Sequence, residues 1–369
     1  MTLRDPLRML SPPMTGPRIA GLRASMRENS LDAFLVTSLA AVRYLTGFSG
    51  SNALAVVTAR RAFFVSDSRY RLQSGAEVRG FRRIIGRRGL LEDAAASQTL
   101  RDCRTAGFES DTMTYAQYRS LRRLFPGVAF RPATGIVESL SLVKDPGEIA
   151  CIEQAAAIAD RVFSEVLASI RPGVTELDVA SEISYLNRRR GGESDAFDVI
   201  VASGPRGALP HARPTARKLR KGEFVLLDFG SRVRGYNSDL TRTVALGRVP
   251  RRLREAYSAV LEANEAASAA ARAGMTARAL DAVARTCLRR RGFGRYFVHS
   301  LGHGLGLRVH ERPHVSPLSR EVLERGSVIT IEPGVYIPGA GGVRIEDDLL
   351  LGRSGCRLLT RSRRDLIVL

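Results

Sequence analysis

Runs of apolar residues, separated by polar turns, organise the chain into two predicted α/β regions. Apolar residues recur at helical spacing over 17–30, and short apolar runs follow at 33–36, 53–57 and 62–65. The first pattern predicts an amphipathic helix, and the later runs predict strands. A helix followed by strands favours a small α/β domain, which we place at residues 1–135. Residues 136–369 form the second predicted domain, so the fold class is α/β (α+β).

Within the second domain, one pattern occurs twice about a hundred residues apart. A basic residue and a glycine lead into an apolar run that ends on an acid, over 221–228 and again over 325–332. Each run is preceded by a helix that begins after a threonine, Thr175 or Thr276, and ends on arginines and a glycine. The repeat predicts a pseudo-two-fold domain with a site between its halves. The acids that end or follow the two strands are Asp228, Asp239, Glu332 and Glu346.

Four carboxylates brought to one place suggest a metal site. An ionised carboxylate at the end of an apolar strand is costly to bury unless a cation or a proton offsets it. Four negative charges match two divalent ions, and oxygen ligands favour manganese, with cobalt or zinc as alternatives. Two ions about 3.5–4 Å apart can share a bridging water and lower its pKa toward roughly 7. The pattern therefore predicts hydroxide chemistry on a carbonyl group.

All five histidines lie in the second domain, and four of them fall between His299 and His314. Alternating glycines in this segment allow the backbone to approach a ligand closely. We expect a strand at 296–298 just before it. The sequence His310-Glu311-Arg312-Pro313-His314 also matches the H-E-x-x-H zinc motif, which requires a helix. Because Pro313 would break that helix, we reject the zinc-motif interpretation.

Composition narrows the function classes. The 369 residues are 44% hydrophobic, with no membrane-length apolar run and no signal-peptide pattern in Met1 to Gly16. The four cysteines are far apart, so we expect free thiols and a cytoplasmic location. The net charge is +20, and all but three of the 57 basic residues are arginine. Because the arginines are dispersed and form no recognised reading motif, we expect no specific nucleic-acid partner and no membrane partner.

The chain resembles the Xaa-Pro peptidases (prolidase and aminopeptidase P), which share the pita-bread fold with methionine aminopeptidase and creatinase. The N-terminal domain is similar to the creatinase/prolidase N-terminal domain at 44–51 and 66–70. Creatinase has the same fold without the full set of metal ligands, so the presence of all five ligand residues of the peptidases in this chain argues against creatinase itself. In the second domain the resemblance rests on the segments 201–204, 226–230, 238–243, 299–304, 309–311, 331–334 and 343–347.

The resemblance implies a ligand set. Asp239 and Glu346 would bridge two metal ions, His303 and Glu332 would hold one of them, and Asp228 would hold the other. Glu332 would also serve proton transfer.

The resemblance also implies roles outside the ligand set. His211 and His310 would act in catalysis on the substrate and the intermediate, whereas His299 and Arg344 would lie on the substrate side. It implies a homodimer that hydrolyses the bond before proline. We favour an Xaa-Pro dipeptidase, with an aminopeptidase on longer peptides as one alternative and a catalytically silent pita-bread binding protein as another.

Overall fold

The computed structural model describes residues 15–369, so most of the segment on which the signal-peptide prediction rests lies outside the described residues. The chain forms two compact units, and the second unit spans Leu142–Leu369. The sequence prediction placed the boundary at 135/136. Among the described residues, no helix combines the length and the apolar character needed to cross a membrane.

The first unit is an α/β domain built on one six-stranded sheet. Its strand order is β4-β3-β2-β1-β5-β6, with antiparallel pairing of β2 to β1 and β3 and parallel pairing elsewhere. Strands β1 to β6 are Ala33–Val36, Ala53–Thr58, Ala62–Asp67, Arg82–Gly86, Thr105–Glu109 and Ala129–Ala133. Helices α1 to α6 are Thr15–Glu28, Leu39–Thr46, Arg71–Glu77, Leu90–Ala96, Tyr115–Leu124 and Ile136–Ser141. The three predicted strands are present, because their continuous apolar runs are buried.

The second unit begins with a long helix, α7 (Pro146–Val166), which Asp145 and Glu148 start with a reciprocal capping box. The first half of the repeat follows. It consists of helix α8 (Glu176–Arg189) and strands β7 (Ile200–Ser203), β8 (Glu223–Phe229), β9 (Arg232–Val233), β10 (Tyr236–Asn237) and β11 (Leu240–Leu246). Strands β11, β8 and β7 form an antiparallel three-stranded sheet in that order.

The second half repeats this plan with additional strands. Helices α9 (Arg251–Ala270) and α10 (Ala277–Arg290) precede a five-stranded antiparallel sheet of order β13-β12-β14-β17-β18, and β15 pairs with β16 beside it. These strands are β12 (Gly302–Gly304), β13 (Glu311–Val315), β14 (Val328–Ile331), β15 (Gly334–Ile337), β16 (Gly341–Arg344), β17 (Asp347–Leu351) and β18 (Cys356–Leu358). The apolar faces of α9, α10 and this sheet share one buried core.

The repeat read from the sequence is present in the backbone. Thr175 and Thr276 both cap their helices through the side-chain oxygen, and left-handed glycines follow both helices at Gly191 and Gly292. The antiparallel pair β8–β11 of the first half corresponds to the pair β14–β17 of the second. The structure therefore confirms the predicted internal repeat.

Two local predictions have clear outcomes. The expected strand at 296–298 is wrong, because the chain makes a short 3₁₀ turn at Gly294–Tyr296 and Phe297 packs into the core instead of a sheet. All four cysteines are free thiols, as predicted. Cys151 and Cys287 are buried, and Cys103 and Cys356 are partly buried.

Candidate metal centre

Strand pairing brings the four predicted acids to neighbouring strand ends. Asp228 lies near the end of β8, and Asp239 immediately precedes β11, its antiparallel partner. In the second half, Glu332 immediately follows β14 and Glu346 immediately precedes β17. Because antiparallel neighbours place the end of one strand beside the start of the next, each half contributes two acids at one edge of its sheet.

Three of the predicted ligands meet closely enough to share an ion. Ligand atoms of Asp239, His303 and Glu346 all lie within 4.8 Å of one another, and all three residues are buried. The Nε2 atom of His303 is 3.8 Å from Oδ2 of Asp239 and 3.4 Å from Oε1 of Glu332. The cluster thus contains residues from both halves of the repeat.

The orientation of His303 suits a metal ligand. Its Nδ1 lies 3.1 Å from the carbonyl oxygen of Gly304, which can only accept, so Nδ1 carries the proton. Burial lowers the pKa of His303 to about 3, so the ring is neutral. Its Nε2 lone pair therefore faces the carboxylates of Asp239 and Glu332, the arrangement that a ligating imidazole requires.

The ionised forms of the clustered acids are unfavourable without a cation, as the raised pKa values of three of them show. Burial, followed by the nearby Glu346 carboxylate, raises the pKa of Asp239. Burial and Glu332 likewise raise the pKa of Glu346, and burial raises the pKa of Glu332 to about 8 against the opposing field of Arg344. Within residues 15–369, one buried oxygen of Asp228 and one of Asp239 have no hydrogen-bond partner. Crowded carboxylates with unpartnered oxygens fit divalent cations.

Arg344 lies beneath this cluster and is almost fully buried. Its Nη2 pairs with the Asp228 carboxylate, and its Nε donates to Oγ1 of Thr241 at 3.0 Å. Its Nη1 donates to the hydroxyl of Tyr336 at 2.7 Å and to the carbonyl of Pro210 at 3.2 Å. All of these partners are protein atoms around Asp228, so the guanidinium of Arg344 holds the Asp228 carboxylate in position. The predicted contact of Arg344 with substrate stays a prediction.

A buried arginine ties the two halves together behind the acids. Arg242, the residue after Thr241 in β11, donates to the carbonyl oxygen of Glu346 at 2.5 Å and to Oδ1 of Asp347 at 2.7 Å. The hydroxyl of Thr241 donates to Oε2 of Glu346 at 2.6 Å. These contacts fix the second-half acid against the first-half strand.

The other three predicted histidines, His310, His299 and His211, have different surroundings. The ring of His310 lies 4.3 Å from the ring of His303, centroid to centroid, and its pKa is lowered by burial. Both ring nitrogens of His299 have protein partners, the carbonyl of Ser300 at 2.7 Å and the hydroxyl of Tyr336 at 2.9 Å. Burial lowers the pKa of His299 to about 4, so it is neutral. His211 is exposed on the loop that follows β7.

Sequence reasoning missed a buried ion pair beside His310. The ammonium group of Lys144 pairs with the carboxylate of Glu311, and both side chains are nearly inaccessible to solvent. The glutamate of the rejected H-E-x-x-H motif therefore has a structural partner, and the motif lies in strand β13 instead of a helix. A signal was present in the sequence, since Lys144 is one of only three lysines in an arginine-rich chain.

Tyr336 was also missed. It links Arg344 to His299 by hydrogen bonds on both sides, and burial raises its pKa to about 12. No spacing rule pointed to this tyrosine, because β15–β16 pairing alone brings it beside Arg344.

Comparison with known proteins identifies the family. Residues 150–353 match metallopeptidase family M24, and residues 18–143 match the creatinase/prolidase N-terminal domain. The chain belongs to family M24. Within that family it is one of the Xaa-Pro peptidases, and it is a metallo-exopeptidase. The resemblance inferred from the sequence motifs is thereby confirmed.

Three M24 relatives cover almost the whole chain. The Xaa-Pro dipeptidase of Pyrococcus furiosus is 36% identical over 95% of this chain and 99% of its own length. The structure of an Xaa-Pro dipeptidase from Bacillus anthracis is 40% identical with a TM-score of 0.93, covering 96% of this chain and 100% of that one. An X-Pro aminopeptidase from Thermotoga maritima is 36% identical with a TM-score of 0.87, covering 94% and 100%.

Proposed function

We propose that the protein is a dinuclear Xaa-Pro dipeptidase. The observation that carries the proposal is the buried group of Asp239, His303 and Glu346, whose ligand atoms lie within 4.8 Å of one another. Asp228 and Glu332 complete the proposed donor set, because each belongs to the same crowded group of acids. We propose manganese as the metal, since oxygen donors outnumber the single imidazole.

The bound ions would supply a Lewis acid for the scissile carbonyl and an activated water at neutral pH. The residues of the chain supply the rest. The carboxylate of Glu332 lies 3.4 Å from Nε2 of His303 inside the proposed donor set, so it is placed to accept and return the proton that the reaction displaces. His310, next to His303, and His211 on the loop after β7 would donate hydrogen bonds to the developing oxyanion and the leaving nitrogen.

Arg344 has a different role in this proposal from the one expected from sequence. A dipeptidase must hold the free carboxylate of the substrate proline, but the guanidinium of Arg344 is buried against Asp228, Thr241 and Tyr336. We therefore propose that Arg344 keeps Asp228 in place and that another cation binds the substrate carboxylate.

A second candidate is an Xaa-Pro aminopeptidase acting on longer peptides. It is favoured by the likeness to the Thermotoga maritima X-Pro aminopeptidase, which is nearly as extensive as the likeness to the dipeptidases. The two activities share the metal centre and differ in whether the region beyond proline is closed or open.

One experiment tests the proposal. Hydrolysis of a proline-containing dipeptide and of a longer Xaa-Pro peptide is measured with manganese added and again after chelation. Metal-dependent cleavage of the dipeptide alone is expected, whereas efficient cleavage of the longer peptide would establish the aminopeptidase. Bound metal without cleavage of either would instead favour another substrate or a binding role. Sedimentation of the same sample tests the expected homodimer.

A further inference from the structure

A single buried carboxylate closes the base of the loop that carries His211. This loop leaves β7 at Ser203 and returns to the start of α8 at Thr215, whose carbonyl oxygen accepts from the amide of Leu177 at 3.1 Å. The carboxylate of Glu176, the first residue of α8, lies between its two ends and is fully buried. Oε1 accepts from the amide and hydroxyl of Ser203 at 2.9 and 2.8 Å. Oε2 accepts from the amide and hydroxyl of Thr215 at 3.1 and 2.8 Å.

The same carboxylate braces the interior of the loop. Oε2 of Glu176 also accepts from Nε of Arg206 at 3.0 Å, and Nη2 of Arg206 donates to the carbonyl of Arg213 at 2.5 Å. In the described part of the chain, the hydrogen-bond partners of the Glu176 carboxylate all lie between Ser203 and Thr215. A carboxylate has only acceptor sites, so this array of donors requires an acid.

The loop is held at its tip by the candidate centre itself. The carbonyl of Pro210, the neighbour of His211, accepts from Nη1 of Arg344 at 3.2 Å, and Arg344 pairs with Asp228. The loop that carries His211 is therefore held by Glu176 at its base and by Arg344 near its tip.

Capping of the helix does not explain an acid at this position. Thr175 and Asp178 already make a complete capping box at the start of α8. In the second half, the residue that follows the capping Thr276 is Ala277, and α10 begins equally well without a carboxylate there. The acid at 176 is thus specific to the half whose loop must be closed.

We propose that Glu176 is a positioning residue that sets the placement of His211 toward the substrate by clamping both ends of the Ser203–Thr215 loop. This proposal rests on the proposed function, in which His211 acts on the reacting groups. A shift of about 1 Å in such a group can cost about a hundredfold in rate, so the clamp has a measurable effect on turnover.

A double-mutant cycle tests the link, using the full chain loaded with manganese and a proline-containing dipeptide. In the wild-type background, Glu176→Gln is expected to lower kcat about ten- to a hundredfold with metal content unchanged, because the amide presents a donor to other donors. In the His211→Ala background the same change is expected to lower kcat less than about twofold, since the group being positioned is gone. The matched control is Asp178→Asn, which removes an acid from the same helix turn and should change kcat less than about twofold.

Hydrogen exchange provides a readout independent of activity. Glu176→Gln is expected to speed amide exchange over 203–215 and to leave α10 unchanged, in metal-free and metal-loaded protein alike. If Glu176→Gln fails to fold, Thr215→Val is measured in the same cycle, because it removes one hydroxyl donor to Glu176. It should lower kcat in the wild-type background, by less than Glu176→Gln would, and should have little effect in the His211→Ala background.

The outcomes separate the two proposals. Equal losses of kcat from Glu176→Gln, or from Thr215→Val, in the two backgrounds would overturn the positioning role, as would loss of metal on Glu176→Gln. Wild-type protein that binds manganese but cleaves no Xaa-Pro peptide would instead overturn the proposed function.

Discussion

The two halves of the second unit share a backbone but hold their chemistry in place by different means. The amide of Gly173 donates to the carbonyl of Leu219 at 2.9 Å, and Gly274 donates to Leu323 at 2.9 Å in the corresponding place. The strands that carry the acids also correspond, since β8 pairs antiparallel with β11 in the first half and β14 with β17 in the second. Backbone hydrogen bonds depend little on side-chain identity, so repeated scaffolds can diverge in chemistry.

The loops that follow β7 and β12 show the divergence. His211 and His310 occupy these corresponding loops, but the first loop is closed by Glu176, whereas the second leads into β13 and is anchored by the pair Lys144–Glu311. The strands differ as well, because β12 carries the proposed ligand His303, whereas β7 carries no histidine or acid. Equivalent positions in this repeat therefore do not share a supporting contact.

The largest effect is expected from removing either of the two acids proposed to bridge the metal ions, one from each half. Asp239→Ala and Glu346→Ala should each reduce kcat/KM about a thousandfold or more, equivalent to about 4 kcal/mol of transition-state stabilisation, and should abolish tight metal binding. Metal content and dipeptide hydrolysis measure this. Glu255→Ala, an exposed acid on α9, is the control. An active, metal-bound variant of either acid would break the idea that the halves contribute equally.

Breaking the second-half anchor should have a smaller effect on turnover but a clear effect on folding. Lys144→Met leaves the Glu311 carboxylate buried without its cation, which should lower the free energy of unfolding by about 3 kcal/mol. Urea denaturation of the metal-loaded protein measures this. Lys144→Met combined with Glu311→Gln should recover part of the loss, because no uncompensated charge remains. No recovery would show that the two side chains do not act as a pair.

The last effect concerns the pH dependence of the metal-free protein and distinguishes Glu332 from its first-half counterpart Asp228. Burial raises the pKa of Glu332 to about 8 from an ordinary value of 4.5, so between these values the metal-free folded state holds a proton that the unfolded state lacks. Stability of the metal-free protein should therefore fall as pH rises from about 5 to 8, by at most about 1.4 kcal/mol per pH unit for this group. Bound metal should remove the decline.

Calorimetry of the metal-free variants checks this sign. Glu332→Gln should reduce the decline and stabilise the metal-free protein at pH 8, whereas Asp228→Asn should destabilise it by leaving Arg344 without its carboxylate partner. Glu265→Gln, an exposed acid on α9, should match wild type. Identical behaviour of Glu332→Gln and Asp228→Asn would contradict the asymmetry between the halves.

Much of the fold could be predicted because local patterns sufficed for it. The apolar runs at 33–36, 53–57 and 62–65 became strands, and Thr175 and Thr276 begin the two repeated helices. The strand expected at 296–298 failed, because Phe297 is buried in the shared core, with the guanidinium of Arg285 over its ring, and does not pair with a strand. Apolar character alone predicts burial but not the element that provides it.

Residue type and spacing along the chain were enough to identify the two α/β regions, the internal repeat and the ligand candidates. The partners of those residues emerge only in the folded unit. Arg344 beneath Asp228, Tyr336 between Arg344 and His299, and Glu176 across the His211 loop all join segments far apart in the chain. Such contacts follow from strand pairing and burial of the whole unit, so no local pattern contains them.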